Sequence, residues 1–285
     1  MKNLRIAVIL LGAVVFLNSN VLAEENPFSV DFKAKHVFKS EVRAQDGEIE
    51  VTKLSLRIGY HHQKSDNLPF DINIGPDHYI FIEKTPVDIP AEAKSRGIRL
   101  KTEFNIPLVN DNRYSWGVEL NPTFQTAKDV SFDSDGFRFN FSSFLAFRGD
   151  NNFMFVIGAK IRPEYEMVVL PIFGFNYQVN DRLAFNLVSD NPNIAYKITE
   201  KTKAILDFDY TFEEFEVTKG ALDGSILQLQ DFSTGVGIEH HFKDNISASF
   251  GVGGEFNRII KYQDSNGKVV PEDGLYINAK LYVSF

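Results

Sequence analysis

The sequence predicts an all-β fold: a transmembrane, antiparallel, up-and-down β-barrel of fourteen strands, or twelve if the N-terminal hairpin packs elsewhere. Three observations carry this. Apolar and polar residues alternate at period two through segments of ten to fifteen residues, longer than the roughly five or six of soluble sheets and suited to a tilted membrane crossing. The connections alternate in length, short near residues 110, 150, 181, 200 and 244 and longer near 130, 220 and 268, as periplasmic turns and outer loops do. The last twelve residues, GLYINAKLYVSF, place Leu275, Ile277, Ala279, Leu281, Val283 and Phe285 on one face and stop on that aromatic.

Residues 1–23 read as a cleaved signal peptide. Lys2 and Arg5 form the positive start, Ile6 to Leu17 the apolar run, and Val21-Leu22-Ala23 the small-residue cleavage site. An apolar run of about twelve residues is too short for a spanning helix, which needs ~20. Residues 24–285 then form the barrel domain. The chain has no cysteine, which excludes a disulfide framework and a lipoprotein anchor.

Removing residues 1–23 leaves 28 basic and 38 acidic side chains, a net charge of −10. That balance argues against nucleic acid as a partner. The mean hydropathy of −0.17 suits a barrel, in which only alternate residues meet lipid.

The segments follow in order. In 28–42, Phe28, Val30, Phe32, Ala34 and Phe38 oppose Asp31, Lys33, Lys35 and Lys39; in 49–61, Leu54, Leu56, Ile58 and Tyr60 oppose Lys53, Ser55 and Arg57. Residues 62–96, with Pro69, Pro76, Pro86 and Pro90, are the least regular and are assigned one short strand near Tyr79–Glu83. Clean alternation resumes in 97–108, 114–124, 136–148, 153–165 and 167–179, where Pro171 predicts a bulge. Two short strands, 183–189 and 193–198, precede 203–215, 227–242, 246–259 and the C-terminal strand. Tyr114, Phe153, Tyr177, Phe242 and Phe285 are expected in an aromatic girdle on the short-turn side. Tyr60, Phe124, Tyr165, Phe215 and Phe256 are expected on the long-loop side.

Two resemblances rest on these residues. The alternating end with Tyr282 and a terminal Phe285 resembles the β-signal read by the outer-membrane barrel-assembly machinery. Residues 170–198 resemble a family of bacterial β-barrel proteins of unknown function, through Leu170, Pro171, Gly174, Pro192 and Tyr196. The resemblance implies an outer-membrane barrel in a Gram-negative bacterium and brings no substrate or catalytic residue with it.

The lumen face carries its charges unevenly. Arg99, Lys101, Arg138, Lys160 and Arg162 lie in the first half; Asp207, Asp209, Glu213, Asp231, Glu239 and Glu255 lie in the second. Facing each other across an open lumen, they would orient polar solutes; paired directly, they would plug it. The expectation is therefore a passive, porin-like channel for small polar solutes, with outer-membrane lipid and the assembly machinery as partners. A closed structural or surface-binding barrel is the alternative, and an outer-leaflet lipid hydrolase built on His241, Ser247 and Ser249 a distant third. His61-His62 and His240-His241 cannot chelate as pairs, because neighbours in a strand point to opposite faces. Neither metal nor cofactor nor enzymatic activity is expected. Gly235, Gly237, Gly251 and Gly253 predict close backbone packing inside the barrel.

Overall fold

The computed structural model describes residues 27–43, 46–62, 70–85, 87, 89–105, 113–127, 136–149, 152–188, 192–217, 224–263 and 267–285. The predicted signal peptide lies outside them. The strands are β1 (Phe28–Glu41), β2 (Glu48–His62), β3 (Phe70–Lys84), β4 (Glu92–Asn105), β5 (Tyr114–Ala127), β6 (Phe137–Arg148), β7 (Phe153–Ile161) and β8 (Val169–Gln178). They continue as β9 (Leu183–Asn186), β10 (Asn193–Thr199), β11 (Thr202–Val217), β12 (Ile226–Lys243), β13 (Ile246–Tyr262), β14 (Lys268–Val269) and β15 (Gly274–Ser284).

Each strand pairs antiparallel with its neighbours in sequence, and β15 closes the ring by pairing with both β13 and β1. The two-residue β14 only extends the β13 hairpin, so the described ring holds fourteen strands, as alternation predicts. At the seam, the Phe28 and Phe285 backbones exchange hydrogen bonds of 3.2 and 2.9 Å.

A second, smaller ring sits on the first. At the outer end β11 leaves β10 and pairs in parallel with β5, Glu216 with Thr126 and Val217 with Ala127. Strands β6 to β10 are left below this junction as a five-stranded skirt. Above it nine strands (β1–β5, β11–β13 and β15) enclose an apolar core that includes Ile49, Tyr79, Phe81, Ala127, Phe215, Val217, Leu227 and Tyr262.

The alternation changes phase where one ring passes into the other. In β2, Leu54, Leu56 and Ile58 point outward, with Ile58 55 % exposed, whereas Ile49 and Val51 point inward into or against the core. In β11 the outward series containing Leu206 and Tyr210 gives way to inward Phe215 and Val217. Lipid outside demands apolar-out strands; a ring standing in water demands apolar-in strands. The switch therefore marks the outer edge of the membrane.

Bulges help set that phase. In β13, Gln230 opposes Ile259 while Phe232 opposes Phe256, and Asn257 in the extra position has φ 52°. The added residue lets Glu255 and Arg258 both face inward. A register shift between Val37 and Ser40 of β1 likewise turns Lys39 outward to Glu48, 2.5 Å away, and not to the lumen as alternation predicts.

Other expectations are corrected. β3 is a full strand of fifteen residues, because Pro76 sits opposite Arg96 without breaking the register. β7 ends at Ile161, four residues early. Tyr60 stands beside Phe28 near the chain ends, ring centroids 5.1 Å apart, and so belongs to the opposite girdle. Phe215 and Tyr165 are not in a girdle: both are buried, at 0 % and 4 % exposure. Pro171 makes no bulge; Ala159 opposes it in an unbroken register from Phe153 to Ile161.

Candidate functional site

Below the apolar core the lumen is polar and holds connected cavities. The largest central one, about 570 Å³, is bordered by Asp31, Lys35, Arg57, Asp77, Asp207 and Glu213 among others. It shares Arg57, Arg99, Lys160 and Glu213 with a cavity of about 100 Å³ under the β5–β11 junction, and Asp31, Lys33, Asp207 and Lys280 with one of about 370 Å³ toward the short-turn end.

Alternation puts these side chains inside, but pairing decides which charges remain available. Lys35 reaches Glu255 at 2.6 Å, and Arg258 closes on the same carboxylate at 3.2 Å. Arg57 is bonded to Asp77. Lys53 stands 4.9 Å from the Tyr79 ring, at the base of the apolar core. The basic set named from the sequence omits all four of these cations. They place positive charge beside the acidic half, so the expected division into two opposed fields is largely cancelled by local pairs.

The named residues divide in the same way. Arg99, paired with Glu119 at 3.6 Å, and Lys160 border the cavities opposite Glu213. Gln125 Nε2 donates to Glu213 at 2.8 Å. Asp207 accepts from Tyr276 Oη at 3.3 Å and Asn278 Nδ2 at 3.4 Å, while Asp209 lines the central cavity. Asp231 is held with Glu255 around a small recess of about 40 Å³. Glu239 pairs with Lys203 at 3.5 Å near the short turns. Lys101 lies 5.7 Å from the Phe144 ring. Arg138 is buried and donates to the Phe137 carbonyl at 3.0 Å. At the seam, Tyr282 borders the central cavity.

Arg162 lies beyond β7, in the connection to β8, and ties the skirt to β11. Its guanidinium donates to the Phe212 carbonyl and the Met167 carbonyl, each at 3.2 Å, and stacks 4.4 Å from Tyr165 and 4.6 Å from Phe212. Tyr165 turns inward and donates to Gln125 Oε1 at 2.6 Å; burial raises its phenol pKa. Glu166 accepts from Lys261 and Gln228, both at 3.0 Å, and these bonds, Lys261 first, hold its carboxyl below the usual range. Residues 162–168 thus roof the skirt.

Glycines on the lumen face make room for backbone, as at Gly237 against the Phe250 carbonyl, and also for side chains. Gly235, Gly253 and Tyr276 lie in one row across β12, β13 and β15. A Cβ on Gly253 would stand 2.6 Å from Tyr276 Cζ, and one on Gly235 would collide with the phenol oxygen. Gly117 does the same for the Phe144 ring, an inward aromatic that alternation does reveal, since it breaks the odd-numbered apolar series of β6.

Two clusters resemble hydrolytic machinery. Ser29 Oγ is 3.0 Å from His61 Nε2, and His61 Nδ1 is 2.8 Å from Asp71 Oδ1. Ser29, however, is paired on both sides, to Ser284 and Gly59. The surrounding amides belong to ladders and do not converge on an oxyanion. His241 has a carboxylate neighbour two residues away on the same strand face, Glu239 at 3.0 Å, yet among the described residues no hydrogen bond joins it to Ser247. No group of three or more potential metal ligands occurs among the described residues.

These features, a closed ring of fourteen antiparallel strands with an apolar belt and a polar lumen, define an outer-membrane-type β-barrel. The chain belongs to the family described as "Domain of unknown function (DUF6268)", which matches residues 101–284. Its fold is similar to an outer membrane channel from Pseudomonas putida F1, at 8 % identity, a TM-score of 0.47 and coverage of 93 % of this chain and 100 % of that one. It is also similar to a Pseudomonas aeruginosa FadL homologue, at 9 % identity, a TM-score of 0.50 and coverage of 92 % and 91 %. The translocator domain of the autotransporter NalP from Neisseria meningitidis aligns at 9 % identity with a TM-score of 0.35, covering 99 % and 96 %. No curated protein matches the chain in sequence.

Proposed function

We propose that the protein is a passive channel in the outer membrane of a Gram-negative bacterium, taking small polar solutes into a lumen whose axial path outward is shut. The observation that supports this best is the central cavity of about 570 Å³, walled by charged and hydroxyl side chains and connected toward the short turns. A barrel with a purely structural role could fill its interior; this one fills only its outer ring. Outer-membrane lipid and, through Tyr282 and Phe285, the barrel-assembly machinery are its proposed partners. It is read as working without cofactor and without catalysis, since the amides around Ser29 belong to ladders and no hydrogen bond joins His241 to Ser247 among the described residues.

The apolar core of the nine-stranded ring favours a second reading, a closed barrel acting through its outer surface. Single-channel conductance of refolded residues 24–285 in a planar bilayer separates the two. Small, stable steps that shrink in Lys160→Ala support the channel. A folded, heat-modifiable barrel that passes no current supports the closed barrel.

A further inference from the structure

Among the described residues the wall between β8 and β11 is interrupted. β9 has four residues and β10 seven, against ten in β8 and sixteen in β11. The last backbone hydrogen bonds of this short hairpin with its neighbours among the described residues are Leu187 N to Phe175 O and Phe208 N to Pro192 O, both 2.9 Å. Only three residues separate Val188 from Pro192, too few to extend the hairpin by more than about 7 Å. Above it, Val169–Phe173 of β8 and Asp209–Phe215 of β11 have no strand partner on the facing sides among the described residues. At ~3.3 Å per residue the free edge of β8 alone is roughly 13 Å tall. The roof formed by Arg162 on the Phe212 carbonyl closes the opening from above.

The edges suit an opening. Backbone groups alternate between the two sides of a strand, so the bond accepted by Phe175 O places the polar groups of Phe173, Pro171 and Val169 on the open side. Pro171 therefore lacks its N–H at the point where the donor would have no ladder partner. An unpaired edge facing hydrocarbon costs several kcal/mol per group, whereas an edge facing a wet lumen is satisfied.

The surroundings name the ligand class. Outside, the rim is apolar and exposed: Phe173 at 75 %, Val169 at 56 %, Tyr210 at 49 %. Immediately inside lie Lys160, Asp209 and Glu213, and the central cavity reaches Phe208 and Tyr210 on the β11 edge. We infer that this gap is a lateral port, through which small amphipathic molecules, with an apolar body and one polar end, pass between the lipid phase and the lumen. The inference rests on the channel reading and changes both its route and its solute: the apolar core bars the axis, and a molecule that enters through the wall from lipid needs an apolar body beside its polar end.

The test uses single cysteines, which the native chain lacks, carrying a bimane fluorophore in vesicles of brominated phospholipid. Asp209→Cys and Lys160→Cys report behind the port, Ser55→Cys reports from the lumen away from it, and Val236→Cys reports from the lipid face. Quenching at 209 or 160 at least half that at 236, with less than a tenth at 55, supports the port. Quenching at both 209 and 160 no greater than at 55 overturns it. Conductance of the unlabelled native protein separates the two failures: steps without quenching in the labelled variants leave a channel with no lateral port, whereas quenching without native steps keeps the port and sinks ion conduction.

Discussion

Val217 of β11 lies in parallel register with Ala127 of β5, and both side chains enter one buried apolar core. The parallel pair follows from parity. Up-and-down strands close without a parallel neighbour only in even number, so a ring of nine needs one, and β5 and β11 both run outward. Two rings of different bore thus share nine strands.

The smaller ring is held by its filling. Phe215→Ala removes a ring buried to 0 % exposure, at a cost of about 3–5 kcal/mol for a buried Phe→Ala change. The expected result is a lower midpoint in urea with an intact heat-modifiable barrel. Larger conductance steps should accompany it, since the axial barrier is the same side-chain cluster.

Glu255 lies between Lys35 and Arg258 at 2.6 and 3.2 Å. Glu255→Gln leaves two cations without their shared counter-charge and should destabilise by about 3–5 kcal/mol, the range for breaking a buried pair from one side. Lys35→Met in the same background should recover part of the loss in denaturant titration. An additive double variant would argue against the shared site.

Gly235→Ala should destabilise by about 1–3 kcal/mol, as overpacking does, because the new methyl meets the Tyr276 phenol oxygen. Tyr276→Phe removes that oxygen. A double-mutant cycle in urea should show a coupling of about 1 kcal/mol or more in the relieving direction, whereas zero coupling would place the strain elsewhere.

Asn257 holds φ 52° at the β13 bulge. Asn257→Gly should be close to neutral, while Asn257→Val should cost about 1–3 kcal/mol, since β-branched residues resist that region. Loss of the bulge would turn Arg258 outward, so the valine variant should also shift conductance, which a merely local strain would leave alone.

Arg162→Lys keeps the charge but loses the planar fork that spans the Phe212 and Met167 carbonyls. Faster proteolysis within residues 162–168, at an unchanged unfolding midpoint of the barrel, is the expected signature. Equal protection would mean that Tyr165 and Glu166 hold the roof without it.

Much of the fold was legible because lipid imposes period two. The phase change is legible as well: Ile49 and Val51 are odd, Leu54, Leu56 and Ile58 even, so the sequence records where water replaces lipid. Alternation read as one continuous pattern hides this, and it misassigns Phe215 to a girdle. The extra residue at Asn257 has no distinct signature among alternating neighbours, and it left Arg258 unplaced. Arg162 was unreadable for another reason. Its partners, the Phe212 and Met167 carbonyls, are set by where β10 stops, a tertiary fact that no local spacing records.

Because β6 to β10 belong to the wide ring but not to the narrow one, they are topologically a cassette spliced between two neighbours, β5 and β11, that already touch. Hairpins could be gained or lost within it two strands at a time, changing bore and side-wall shape while the capped ring and the terminal seam kept their contacts. The architecture separates the part that must fold from the part that is free to diversify.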